Sequence, residues 1–189
     1  MHTLRERSLA VLLAADPGRK AALARELDVF HGVGAELAIP EPAGIPGRPA
    51  RPQLVPHIEL KQRSVKTPEG LAALMHALAH IEFNAINLAV DILWRFGGMP
   101  EQFYLDWARV AREEAYHFGL LAERLGELGA AYGDLPAHDA LWTMAGKTRH
   151  DLLARLALVP RTLEARGLDA SPAIRNKLVG VGDRRGAEI

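Results

Sequence analysis

Glu114 and His117 lie three residues apart in the stretch AREEAYHFGLL, residues 111 to 121. On a helix that spacing puts a carboxylate and an imidazole on one face, one turn apart. Such a pair either binds a borderline or hard transition metal or forms a buried ion pair. A bare Glu-x-x-His is a weak signal, so what matters is where the surrounding helix places each side chain. In that segment Phe103, Trp107, Val110, Leu121, Leu125 and Leu128 recur at steps of three and four and define one apolar stripe. Positions 114 and 117 fill the middle of that stripe. Glu113 instead falls with Asp106, Arg109 and Tyr116 on the polar side. The two adjacent glutamates therefore have different roles: Glu113 faces water, and Glu114 and His117 face inward.

The preceding helical segment gives a similar result. Leu71, Leu74, Met75 and Leu78 lead to position 82, and Ala85, Ile86 and Ala89 continue beyond it. Position 82 is Glu82, in the centre of an apolar face. A carboxylate there must be protonated, paired or metal-bound, because burying it alone is very costly. His76 and His80 lie near this line but off it, and with His138 they serve a partner or solvate the surface. A third carboxylate, Glu164, continues the line Leu153, Leu156, Ala157, Pro160. Near a helix end it reads more readily, on pattern alone, as a solvated residue. Two helices each presenting a carboxylate, one with a histidine at i+3, are what a helical bundle uses to hold a carboxylate-bridged metal pair. The competing reading is a Glu–His ion pair with no metal.

These side chains need long helices to hold them. Residues 1–38 read as an N-terminal helical segment, broken at Asp16-Pro17-Gly18. Residues 39–66 read as a strap. Its six prolines between Ile39 and Pro56 forbid regular helix, and its interspersed aliphatic residues suit packing on a body better than a flexible linker. QLVPHIEL is the one weak strand signal. The body, 67–189, opens with Thr67 as cap and Pro68 at the first helical position. Its first helix is predicted to end near Phe96 at Gly97-Gly98, and its second to run from about 100 to 128 before Gly129. A third is predicted from about 136 to 166, kinked or loosened at Pro160, and a fourth opens at Ser171-Pro172. Asp183 then caps a helix that the sequence carries only to Ile189. The fold class expected is all-α, an up-down helical bundle.

Composition narrows the chemistry. The 189 residues contain 23 basic and 23 acidic side chains and no cysteine. Thiol nucleophiles, disulfide scaffolds and zinc fingers are excluded. Charge balance gives no support to a general nucleic-acid or membrane-surface protein. No apolar run approaches the roughly 20 residues needed to span a bilayer. The opening RERSLAVLLAA has the look of a signal peptide, but Glu6 and the helical pattern after Pro17 argue for a folded segment and a cytoplasmic protein.

Taken together, HALAHIEFNAINLAVDILWRF, FYLDWARVAREEAYHFGLL, YGDLPAHDALW and LLARLALVPRTLEARGLD closely resemble a bacterial family known only as domain of unknown function 455. That family is ferritin-like and distantly similar to the tRNA-modifying di-iron hydroxylases. The resemblance covers nearly the whole chain, the strap included. It implies a ferritin-like four-helix bundle with a di-metal centre, di-iron or alternatively manganese. It further implies Glu82, Glu114, His117 and Glu164 as metal ligands. The activity implied is that of an oxygen-dependent oxidoreductase or hydroxylase acting on an unidentified small molecule or RNA. The alternative is a non-catalytic iron-binding or structural bundle. The family's second Glu-x-x-His should follow Gly182-Asp183, and the sequence ends before it, so the last core helix is incomplete. Three explanations are open: a fragment of a longer chain, a helix supplied by a partner chain in a homo-oligomer, or a degenerate site.

Overall fold

The computed structural model describes residues 2–61, 63–160 and 165–189, with only the main chain over 165–168. Its regular structure is helical, as the periodicity predicts. The helices are α1 (Leu4–Leu13), α2 (Pro17–Arg25), α3 (Pro68–Arg95), α4 (Glu101–Glu127), α5 (Ala140–Lys147), α6 (Leu152–Leu158), α7 (Ala165–Gly180) and α8 (Arg184–Glu188). The weak strand signal becomes a 3-10 turn at His57–Glu59 and one isolated bridge between Leu54 and Ala137. Among the described residues no helix is long and apolar enough to cross a membrane. The chain forms two compact units: Met1–Ala50 with Ile81–Gly119, and Arg51–His80 with Leu120–Ile189. Helices α3 and α4 each contribute to both.

In the first unit, α1 begins with a capping box: Glu6 N–H donates to Thr3 Oγ1, and Thr3 N–H donates back to Glu6 Oε2 at 2.8 Å. Asp16 caps α2 by a single bond, accepting from Arg19 N–H at 2.7 Å, with Pro17 at the first position. The carboxyl half of α3, Phe83 to Trp94, is buried on every side. That fits a run this apolar, but Asn84, Asn87 and Asp91 still need partners. Lys20 of α2 donates to Asn87 Oδ1, and Arg95 binds Asp91 at 2.8 Å and Glu41 of the strap at 2.7 Å. At Gly47 the strap packs on the end of α1: Gly47 N–H donates to Leu12 O at 2.8 Å, and a side chain at 47 would strike the Leu13 carbonyl.

The carboxyl end of α3 is closed by Arg5. This guanidinium is buried, and it donates to the carbonyls of Leu93, Trp94, Gly34, Ala35 and Leu37 at 2.6 to 3.2 Å. One cation thus satisfies the last carbonyls of a helix that have no intrahelical donor, and ties the following loop to them.

In the second unit α3 starts as predicted. Thr67 Oγ1 accepts from Gly70 N–H at 3.1 Å, and Pro68 takes the first position. The predicted third helix does not form as one element. It breaks between Lys147 and Leu152, because Thr148 closes α5 while Asp151 starts α6 by accepting from Ala154 N–H at 3.0 Å. Arg155 reinforces the break: buried, it donates to Ala145 O at 2.6 Å and Thr148 Oγ1 at 2.9 Å. The inner line expected for this helix is accordingly wrong. Leu153 is 78% exposed, and Arg155 and Val159 are the buried positions. A π-helical turn at 159–160 coincides with Pro160, where loosening is expected. Helix α7 runs through both Gly167 and Pro172, so the predicted stop and restart there are also corrected. Asp183 caps α8 as predicted, accepting from Gly186 N–H at 2.9 Å, and pairs with Arg124 at 2.9 Å.

Candidate metal centre

The first unit brings Glu82, Glu114 and His117 together. One ligand atom from each lies within 4.8 Å of the other two. His117 Nδ1 is 3.8 Å from Glu82 Oε2 and 3.7 Å from Glu114 Oε2. Among the described residues this is the one group of three or more such side chains that close. Glu114 and His117 come from consecutive turns of α4, and Glu82 comes from α3. The i, i+3 pair is set by helical pitch, and the third ligand is set by packing.

Burial corrects the sequence reading in degree. Glu82 and Glu114 are 23% and 21% exposed, and His117 is 47% exposed. The fully buried line of α4 is Tyr104, Ala108, Ala111, Ala115, Phe118 and Leu121, so 103, 107, 110, 114 and 117 border the core rather than fill it. Phe83 and Phe118, each adjacent in sequence to a candidate ligand, are buried and pack against each other, ring centroids 5.6 Å apart and tilted by 53°. Glu113 is on the solvent side as predicted, 4.0 Å from exposed Arg109. Tyr116 is 55% exposed, its ring 6.1 Å from that of His117. Glu164, the fourth predicted ligand, lies outside the described residues.

The three side chains fit a metal by donor type and by spacing. Two carboxylates and an imidazole suit iron, manganese or zinc. Ligands about 2.1 Å from one ion sit about 3 to 3.5 Å apart, so the observed gaps close with small rotamer changes. An ion pair formed for its own sake would close instead to about 2.7–2.9 Å.

The two histidines that lie off the apolar line are buried hydrogen-bonding groups of the second unit. His76 Nε2 accepts from Gly133 N–H at 2.9 Å, and burial holds its pKa below the ordinary imidazole value against the pull of Asp134. His80 Nε2 faces the His138 carbonyl at 3.0 Å and must donate to it, which leaves Nδ1 to accept from the Tyr132 hydroxyl at 2.9 Å. Tyr132 stacks against both rings. Helical spacing on α3 puts 76, 80, 84, 87, 91 and 95 on one continuous polar line, a signal that apolar periodicity does not register.

Comparison with known proteins bears on family alone. A family model described as "Protein of unknown function (DUF455)" matches residues 13–189. A relative from Haemophilus influenzae, named "Uncharacterized protein", is 53% identical over 137 residues, covering 69% of this chain and 48% of its own. The chain thus spans about half the length of the curated relative it matches. No solved structure matches.

Proposed function

The chain belongs to the DUF455 family of proteins of unknown function, and we propose that it is a ferritin-like carboxylate–histidine metalloprotein carrying out oxygen-dependent oxidation or hydroxylation. The observation that carries this reading is the convergence of Glu82, Glu114 and His117 from two helices onto one point at the rim of the core. Iron is the proposed metal, as a pair, with manganese the alternative. When bound, iron supplies the redox chemistry toward dioxygen that side chains lack.

The chain's own residues hold and expose that chemistry. Glu82 and Glu114 would offset the cationic charge. His117 would supply one ring nitrogen on the solvent side, so a substrate would reach the site past the imidazole and Tyr116. Phe83 and Phe118 close the inner side to water. Glu164 enters as a fourth ligand on family resemblance alone. The substrate is a small molecule or an RNA. The second reading, a non-catalytic or degenerate site, is favoured by the 47% exposure of His117, since oxygen-activating sites are usually shielded from water.

Metal analysis of protein produced aerobically with ample iron tests the reading. Stoichiometric iron or manganese that falls sharply in Glu114→Gln supports it. A well-folded protein that carries no metal, and takes none up, overturns it.

A further inference from the structure

The strongest unassigned feature near the site is a reciprocal pair of arginine bonds between α2 and α4. Arg25 of α2 donates through Nη2 to the main-chain carbonyl of Ala115 at 3.1 Å and reaches that of Tyr116 at 3.5 Å. Its guanidinium lies over the Tyr116 ring, 5.7 Å from the centroid. In the opposite direction Arg112 of α4 donates to the carbonyl of Leu27, just past the end of α2, at 2.7 Å. The acceptors of Arg25 are unusual, because both carbonyls lie in the interior of a long helix. A mid-helix carbonyl is normally covered by the side chain four residues on. Position 119 is glycine, and a Cβ there would run into Arg25 Nη2. Gly119 thus gives up helix propensity, and its missing side chain opens the slot through which Arg25 reaches the backbone.

The clasp grips α4 over residues 112 to 116, the same turns that project Glu114 and His117. On an α-helix 100° separates successive residues, so Ala115 and Gly119 face away from the line of 114 and 117. The two bonds therefore hold the back of the helix and leave the ligand face open. Helix side chains reach about 5–6 Å from the axis, so a roll of about 20° displaces their ends by about 2 Å. Metal coordination tolerates about 0.2 Å. Two bonds of opposite direction, one on each helix, resist both rolling and sliding.

We infer that Arg25, admitted by Gly119 and paired with Arg112, is a positioning residue that sets the rotation of α4 and so aims Glu114 and His117 at Glu82. This rests on the metal reading above. Arg25 bonds the main chain of α4 and acts on the ligands through it.

The test is anaerobic titration of the intact protein with cobalt(II), reading the dissociation constant and the visible ligand-field band, with far-UV circular dichroism alongside. Arg25→Gln and Gly119→Ala are both expected to weaken cobalt binding at least tenfold and to shift or weaken the band, with helix content kept. Arg25→Lys, which retains one donor, should fall between them and the wild type. Gly119→Ala is the sharper variant. Alanine ordinarily stabilises a helix relative to glycine, so a looser site in a more helical chain points to the clasp and not to unfolding. It also decides the matter should Arg25→Gln fail to fold. Wild-type affinity and band in Gly119→Ala overturn the inference. If Glu114→Gln binds cobalt as the wild type does, the metal reading itself falls, and the role assigned to the clasp falls with it.

Discussion

His117 Nδ1 of α4 lies 3.8 Å from Glu82 Oε2 of α3, the two helices following one another across the turn at Gly97 and Gly98. That approach separates two glutamates adjacent in sequence. Glu114 converges with the pair, and its neighbour Glu113 points to the exposed Arg109. The substitutions Glu114→Gln and Glu113→Gln should therefore differ sharply. The first is expected to lower divalent-metal affinity at least tenfold, and the second to leave it unchanged, in equilibrium dialysis with iron(II) or cobalt(II). Equal effects would mean that the helical register assigned to α4 is wrong.

Arg5 should be among the costliest side chains to lose. Replacing it with methionine keeps much of the apolar stem and leaves the carbonyls of Leu93, Trp94, Gly34, Ala35 and Leu37 without that donor. A loss of about 3 kcal/mol or more is expected from stranding buried groups. Urea denaturation gives the figure, and a loss under about 1 kcal/mol, the scale of an ordinary exposed change, would contradict the capping role.

Lys20 makes stability depend on pH. Burial, helped by the charge of Arg48, lowers its pKa from 10.5 to about 7. Between about 7 and 10.5 the unfolded chain keeps a proton there that the folded chain has released. Stability must then rise with pH across that window and be lower below it. A tenfold difference in proton affinity between the folded and unfolded chain corresponds to about 1.4 kcal/mol. The ammonium has acceptors in Leu12 O, Gly47 O and Asn87 Oδ1, which favour the charged form, so a net rise of about 2 kcal/mol is expected. Lys20→Met should flatten the rise in denaturation curves taken at pH 6, 8 and 10. An unchanged slope would remove Lys20 as its source.

His76 gives a second pH dependence, at lower pH. Its folded pKa is lowered by burial, so below the ordinary imidazole range the unfolded chain binds a proton first. Stability falls as pH drops through that region and stops falling once the folded ring is also protonated. Protonation also turns Nε2 from acceptor to donor, against Gly133 N–H. The protection factor of the Gly133 amide, which removes the intrinsic slowing of exchange at lower pH, should fall between pH 7 and pH 5 more than that of Gly98, whose N–H binds the Ala35 carbonyl at 2.9 Å. An equal change in protection at both would show that the imidazole does not govern that loop.

The sequence by itself determined the ends of α3 and α4, the break at Pro17, the irregular strap, and the division of labour between Glu113 and Glu114. These depend on local chemistry: Thr67 and Pro68 start a helix, Gly98 and Gly129 adopt positive φ after one, and periodicity of 3.6 residues sorts one face from another. The tertiary structure alone decided how deeply those faces are covered. Glu82, Glu114 and His117 fall at the border of the core and not at its centre, because an apolar stripe does not say which neighbour packs on it. The break in the long third helix is invisible in sequence for a related reason. Its pattern is continuous, but Arg155 folds back to bind Ala145 and Thr148, and a side chain returning to its own backbone has no signature in periodicity. Gly119 is the clearest case. In sequence it is a weak spot in a helix, and only Arg25 arriving from α2 gives a reason for the missing side chain.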